Sequence, residues 1–240
     1  MIIKDMGVPL LLTRILSFYT QLSTSSCHAS MRTMKTNATK SALKSLIVQR
    51  SLIVGPITLS NGSKSDHYFD CKRVTLTSEG ASLVGDAFLD AIEGLPERPT
   101  AIGGLTHGAD PIIGAVMMRA RERGLSIDGF YVRKEPKKHG TKNLIENEPC
   151  PGSNVVVVDD VVTAGGSVLQ AISGAKSAGC KVVAVITLID RLEGGTSKIR
   201  EQADNYISLY TLDDFRPDIE RLKCQQNTTK SEPLLTGASR

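Results

Sequence analysis

The sequence lacks several features that would assign it to particular protein classes. It contains no tryptophan, 4% aromatic residues and no apolar run near the roughly 18 residues of a membrane-spanning helix. Its five cysteines form no Cys-x-x-Cys pair, which argues against a zinc knuckle or a disulfide framework. The net charge of +4 is too mild to require nucleic acid as a partner. The 40% hydrophobic content of 240 residues predicts one globular domain with appendages, and neither a membrane nor a nucleic-acid partner.

Acidic residues are nearly absent from the start of the chain. Asp5 is the only one before Asp66, and the first fifty residues are basic and rich in serine and threonine. This composition is typical of an organelle transit peptide, but a true translation start at Met31 or Met34 would explain it equally well. The expected location is the cytoplasm, or a plastid or mitochondrion if the transit peptide is real. The predicted organisation is an extension outside the fold at 1–35, a folded domain at 36–223 and a disordered tail at 224–240.

Strand-like and helix-like stretches alternate through the middle of the sequence. Apolar or β-branched runs such as AIGGL, VVVV and VVAVI lie between longer segments with apolar residues at helical spacing. This alternation predicts an α/β fold with a parallel sheet covered by helices on both faces. Ligands of such folds bind beyond the carboxyl ends of the strands. Attention therefore falls on four segments that follow strands: GGLTHGAD, RKEPKKHG, DDVVTAGGS and DRLEGG.

The turn that follows the valines at 155–158 predicts a phosphate site. Gly165 and Gly166 let backbone amides approach a ligand closely, and the helix that follows points its positive end at them. The hydroxyls of Thr163 and Ser167 add hydrogen-bond donors. An ordinary strand-loop-helix turn with an acidic cap is the competing structural interpretation, because a glycine-rich turn alone is weak evidence.

Two carboxylates, Asp159 and Asp160, stand directly before this turn. Because they repel a phosphate, they must face another group, and sugar hydroxyls or the shell of a metal ion are suitable. Together, the acids and the Thr-x-Gly-Gly-Ser turn resemble the phosphoribosyl pyrophosphate (PRPP) motif of type I phosphoribosyltransferases. The resemblance implies that family's α/β fold, a central parallel sheet flanked by helices with a small N-terminal hood. It implies catalytic acids that hold the ribose hydroxyls, and a phosphate loop of Thr163, Ala164, Gly165, Gly166 and Ser167.

Basic residues crowd the segment RKEPKKHG, residues 133–140. A solvated run of charge is the ordinary explanation, but cations that close over a departing pyrophosphate would stabilise its charge and exclude water. The segment resembles the catalytic loop of one branch of the family, the orotate phosphoribosyltransferases, in which it reaches the neighbouring subunit's site of a homodimer. The resemblance places four residues on the pyrophosphate side, the last three as catalytic residues: Arg133, Lys134, Lys137 and His139. Lys138 falls at a variable position.

The base site is carried mainly by resemblance. SKSDHYFDC is similar to the orotate-binding hood of this branch, which implies that Tyr68 and Phe69 lie near the flat base. Both could instead belong to an ordinary strand, with one of them in the core. Arg191 in LIDRLEGG matches the arginine that binds the orotate carboxylate, and a guanidinium fork suits a carboxylate. Its alternative is a helix-capping or surface arginine.

Two positions depart from the family pattern. An upstream lysine that some orotate enzymes use is Ser60 here, and Lys72 or Arg73 could supply that charge instead. GGLTHGADPI resembles the family's pyrophosphate loop, but His107 stands where many members have lysine. We predict His107 as a substrate contact, with a plain loop residue as the alternative.

The resemblance implies an enzyme, a pentosyltransferase that moves the phosphoribosyl group from PRPP to orotate. The products are orotidine 5-phosphate and pyrophosphate, and the process served is de novo pyrimidine (UMP) biosynthesis. The implied cofactor is Mg2+, with no protein ligand directly assigned. Alternatives are a phosphoribosyltransferase for a purine or uracil and a non-catalytic regulator that senses PRPP; a regulator has no reason to retain the lysine-rich loop. Because no second domain follows LYTLDDF, a single activity is expected.

Overall fold

The computed structural model describes residues 33–58, 62, 64–135 and 144–231, with side chains through residue 227. The chain divides into two units, residues 1–39 and 40–240. In the first, the described residues 33–39 are helical, and most of the predicted extension at 1–35 lies outside the described residues. Among the described residues, no helix combines the length and apolar character needed to cross a membrane.

The second unit begins with helix α1 at residues 40–50. The further elements, in chain order, are β1 (Leu52–Thr58), β2 (Lys64–Phe69), α2 (Lys72–Thr75), α3 (Ser78–Glu93), β3 (Ala101–Leu105), α4 (Asp110–Glu122), β4 (Asp128–Val132), β5 (Ile145–Glu146), β6 (Asn154–Val162), α5 (Gly166–Ser177), β7 (Lys181–Asp190), α6 (Gly195–Arg200), β8 (Tyr206–Thr211) and α7 (Leu212–Ser231).

The central sheet has the strand order β5-β4-β3-β6-β7-β8. All neighbours pair in parallel except β5, which pairs antiparallel with β4 at one edge. Strands β1 and β2 form a separate antiparallel pair, here called the hood. The predicted α/β fold, with a parallel sheet flanked by helices, is therefore confirmed. Its switch in strand order beside β3 and β6 brings the carboxyl ends of these strands together, where ligands bind in such folds.

The run of four valines at residues 155–158 of β6 shows that the central sheet is buried on both faces. Val156 and Val158 pack in a cluster with side chains of α3, α4 and α7. Val155 and Val157 point the other way, into a cluster with α5 and α6. None of the four is exposed, so the strand has no polar alternation. The strand leaves this apolar environment only at the two aspartates.

Helix α7 corrects the predicted start of the tail. Residues 224–231 are helical rather than part of a disordered segment as their polar composition suggested. The reason is contact with the hood: Lys223 Nζ lies 2.7 Å from Asp66 Oδ2, and Gln226 Nε2 donates to the Val54 carbonyl at 3.1 Å. The bond from Lys223, together with His67, lowers the pKa of Asp66 to about 2. Helix α7 thus holds the hood in place through these contacts.

Candidate active site

The aspartate pair lies near the carboxyl end of β6. Asp159 is 5% exposed and Asp160 is half-buried. The Asp160 amide donates to Asp159 Oδ1 at 3.0 Å, and the Val161 amide donates to Asp160 Oδ1 at 2.9 Å. Burial, and then the charge of Asp160, raise the pKa of Asp159, and burial also raises the pKa of Asp160, although Lys72 opposes both shifts. Two crowded carboxylates of this kind favour a ligand that brings hydroxyl donors or positive charge.

The loop after β3 passes directly over both acids. A Cβ atom at Gly108 would lie 2.6 Å from Asp160 Oδ1 and 2.7 Å from Asp159 Oδ1. The sequence interpretation noted the small residues of this loop but did not single out Gly108. His107 projects from the same loop with 85% of its side chain exposed, and its Nδ1 lies 3.4 Å from Asp110 Oδ2. Its predicted substrate contact stays a prediction.

The turn between β6 and α5 has the geometry of an anion site. Gly165 has a φ of 83°, which a residue with a side chain rarely adopts. Gly195 packs against the turn so closely that a Cβ there would lie 2.5 Å from the Thr163 carbonyl oxygen. The first amides of α5 have no partner within the helix, and Ala164, Gly166 and Ser167 are exposed. The predicted phosphate loop is therefore open to ligand at the positive end of a helix.

Arg191 stands where β7 meets the hood. It is 4% exposed, its Nη2 lies 2.8 Å from Glu193 Oε1, and the same nitrogen donates to Ser65 Oγ at 3.4 Å. Before it, buried Asp190 accepts bonds from the Leu192 amide and the Tyr206 hydroxyl, both at 2.8 Å, and from Thr196 Oγ1. This network fixes the loop that carries the arginine. Sequence reasoning missed Ser65, and only a long-range contact reveals it.

The two aromatic residues of the hood lie in different environments. Neighbouring strand residues point to opposite faces, and accordingly Tyr68 is 38% exposed whereas Phe69 is 3% exposed. The Phe69 ring packs on Phe215 with the ring centroids 5.0 Å apart. We therefore correct the prediction that Phe69 faces a base: its ring belongs to the core. Tyr68 remains a candidate, although it lies on the face opposite Ser65.

Only the start of the basic loop falls within the described residues. The Arg133 amide donates to the Leu144 carbonyl at 2.9 Å, and Arg133 Nε donates to Glu146 Oε1 at 2.7 Å. The Lys134 carbonyl accepts from Gln170 Nε2 of α5 at 2.9 Å. The loop thus begins beside the helix whose N-terminus forms the candidate anion site. Lys137, His139 and Ser60 lie outside the described residues.

Comparisons with known proteins show which family this chain resembles. The phosphoribosyl transferase domain family matches residues 75–215. The orotate phosphoribosyltransferase of Rhodopirellula baltica is 39% identical over 177 residues, which cover 72% of this chain and 92% of the relative. The orotate phosphoribosyltransferase of Mycobacterium tuberculosis H37Rv, in complex with Fe(III) dicitrate, has a TM-score of 0.65 at 35% identity, over 74% of this chain and 99% of that one. The same enzyme with PRPP bound has a TM-score of 0.61 at 33% identity, over 73% and 98% of the two chains.

Proposed function

The chain belongs to the orotate phosphoribosyltransferase family, and we propose that the cleft at the carboxyl ends of β3, β6 and β7 is where it joins PRPP to orotate. The enzyme is a pentosyltransferase of pyrimidine biosynthesis that forms orotidine 5-phosphate and pyrophosphate. One observation supports the location most strongly. A buried carboxylate pair and an open helix N-terminus follow one another on a single strand, as a ribose 5-phosphate requires.

In the proposed mechanism, Asp159 and Asp160 accept hydrogen bonds from the 2- and 3-hydroxyls of the ribose. The amides and hydroxyls from Thr163 to Ser167 hold the 5-phosphate, so the sugar is fixed at both ends. Bond breaking at the anomeric carbon builds positive charge on the ribose, and the nearby carboxylates stabilise it. Orotate itself supplies the attacking nitrogen, and therefore no covalent protein nucleophile is needed.

The leaving pyrophosphate needs positive charge in a site closed to water. Arg133 and Lys134 lie at the described start of the basic loop. We propose that Lys137 and His139, further along this loop, place their positive charge over the pyrophosphate. Beside the hood, Arg191 binds the orotate carboxylate through its guanidinium fork. Tyr68 and His107 are retained as proposed contacts of base and pyrophosphate, respectively.

The residues present suit a magnesium ion that is held mainly by substrate. Among the described residues, no cluster of three or more His, Cys, Asp or Glu side chains could hold a metal. Mg2+ commonly uses one or two carboxylates, substrate phosphate oxygens and several waters. Asp159 and Asp160 are the side chains that would hold it. When bound, the ion neutralises charge on the pyrophosphate.

The proposed reaction predicts that purified protein releases pyrophosphate from PRPP only when both orotate and Mg2+ are present. Chelation of the metal is expected to stop turnover, and restored Mg2+ to return it. The melting temperature measured with Mg2+ alone should not change, because the ion depends on PRPP for most of its ligands. A shift with Mg2+ alone would contradict the proposed mode of binding.

Gly108→Ala is expected to lower kcat/KM about tenfold or more, mainly through a higher KM for PRPP. The new methyl group would press on both carboxylates from less than 3 Å, and displacements of the order of 1 Å at a reacting centre cost up to about 100-fold. Gly114→Ala is the matched control, because nothing lies within 4 Å of that Cβ. Steady-state kinetics of both variants check this; an unaffected Gly108→Ala enzyme would show that the loop does not shape the site.

We propose that the protein acts as a homodimer in which the basic loop of one subunit serves the site of the other. Mixing two inactive variants, Lys137→Ala and Asp160→Asn, then creates heterodimers with one intact site each. After subunit exchange, about a quarter of the unmodified activity should return. A loop that serves its own subunit would give no recovery, because every site would then carry one of the two changes.

We also propose that residues 1–35 are an extension that the catalytic unit does not need. N-terminal sequencing of the protein from its natural source tests this. A cleaved start would favour a plastid or mitochondrion, and initiation at Met31 or Met34 would favour the cytoplasm. Loss of activity in a protein that begins at residue 36 would contradict the proposal.

A further inference from the structure

The loop after β7 pairs a buried arginine with an acid two residues later. Arg191 is 4% exposed, whereas the Glu193 side chain that contacts it is 41% exposed. The arginine also reaches Ser65, at the longer distance of 3.4 Å. Its Nε is buried and has no hydrogen-bond partner among the described residues. Glu193 is therefore the one charged partner that the described residues offer this guanidinium. The Glu193 side chain is itself partly exposed to water.

The backbone holds Glu193 in this position. Leu192 has a φ of 58° and Gly194 a φ of 86°, so that left-handed residues stand on both sides of the acid. A leucine rarely adopts such a conformation. The Leu192 amide is fixed by Asp190 at 2.8 Å, and the Gly195 amide donates to the Thr163 carbonyl at 3.0 Å. The loop thus holds the carboxylate of Glu193 against the arginine while part of the side chain stays exposed.

A buried guanidinium without a counter-charge would be costly. With the base site empty, Glu193 supplies that charge. When orotate arrives, its own carboxylate seeks the same guanidinium, and an arginine fork prefers a carboxylate that it can bind with two donors. Glu193 can leave at low cost, because it is already partly in water.

We propose that Glu193 is an internal stand-in for the substrate carboxylate, which neutralises Arg191 in the free enzyme and is displaced by orotate. This inference rests on the proposed function of the site. Only a base with a carboxylate of its own can replace Glu193. A neutral base such as uracil leaves the Arg191–Glu193 pair in place and gains nothing from the arginine. Glu193 thereby neutralises Arg191 in the free enzyme, at the expense of some affinity for orotate.

Glu193→Gln tests the proposal, because it keeps the shape of the side chain and removes the competing charge. KM for orotate is expected to fall about three- to tenfold, because orotate no longer has to break a partly exposed ion pair and such a pair contributes a free energy of this size. KM for PRPP serves as the internal reference, and the inhibition constant of uracil should not improve. The matched control is Glu201→Gln, which removes the same charge from the exposed C-cap of α6 and should not change KM for orotate.

The outcomes are distinct. An unchanged or raised KM for orotate in Glu193→Gln would overturn the inference, since a residue that merely positions Arg191 would weaken binding when altered. If that variant fails to fold, Glu193→Asp retracts the same charge by one methylene and should also lower KM. Absence of orotate turnover by the unmodified protein would remove the proposed function together with this inference. Orotate turnover with an unchanged KM in the variants would remove the inference alone.

Discussion

Asp160→Asn is expected to lose about 100- to 1,000-fold in kcat/KM for orotate transfer and yet to unfold at a higher temperature than the unmodified protein. The loss arises because a neutral amide cannot stabilise the positive charge that develops on the ribose. The higher unfolding temperature arises because burial raises the pKa of Asp160. Burial and the charge of Asp160 also raise the pKa of the neighbouring Asp159. Such a pair penalises the folded state whenever both carboxylates are ionised.

The sign of this effect sets its dependence on pH. A carboxyl whose pKa is higher in the folded protein destabilises the fold at pH values above its unfolded pKa of about 3.9, and the penalty disappears as the acid is protonated. The variant should therefore be more stable than the unmodified protein near neutral pH, and this difference should disappear as the pH falls below about 3.9.

Kinetics and thermal melts of the same preparations check both halves of this prediction. Asp204→Asn is the control, because that acid is exposed, and it should change neither activity nor melting temperature. Full activity in Asp160→Asn would contradict the catalytic role of the pair. A lower melting temperature would contradict the electrostatic account of its burial.

Lys137→Ala is expected to lower kcat about 100- to 1,000-fold while KM for orotate changes much less. A cation over the pyrophosphate acts on charge that develops during the reaction, so its removal lowers the rate more than it weakens substrate binding. The start of the loop is held in place, because the Lys134 carbonyl accepts a hydrogen bond from Gln170 Nε2 of α5. Lys138→Ala removes an identical charge one residue later and is the matched control.

Single-turnover measurements with saturating PRPP and orotate separate chemistry from binding for these two variants. Equal turnover by Lys137→Ala and the unmodified protein would remove the role assigned to the loop. Equal losses in Lys137→Ala and Lys138→Ala would mean that the loop supplies a general positive field rather than one placed cation.

The sequence predicts the strand, turn and helix that carry the proposed site, because the relevant contacts are local. The valines of β6, the acids at 159–160 and the turn at 163–167 follow one another within thirteen residues, and each dictates its own conformation through burial, repulsion or glycine. Strand and helix alternation likewise predicts the parallel sheet. Local patterns of this kind survive in the folded protein because the tertiary contacts reinforce them.

The sequence does not predict features that depend on contacts between residues far apart in the chain or on an unusual backbone conformation. Phe69 belongs to the core because Phe215 lies across from it, and nothing near Phe69 in the chain indicates that contact. Residues 224–231 are helical because the hood offers Asp66 and a carbonyl of Val54 as partners. The pairing of Arg191 with Glu193 depends on a left-handed Leu192, which no local rule predicts for a leucine.

The specificity constant for a panel of bases tests the central claim most directly. Orotate, uracil, hypoxanthine and adenine would each be supplied with PRPP and Mg2+, and nucleotide and pyrophosphate would be measured together. The predicted result is equal formation of orotidine 5-phosphate and pyrophosphate with orotate, and little or no product with the other three. Turnover of a purine or of uracil without orotate, or PRPP binding without turnover of any base, would contradict this account.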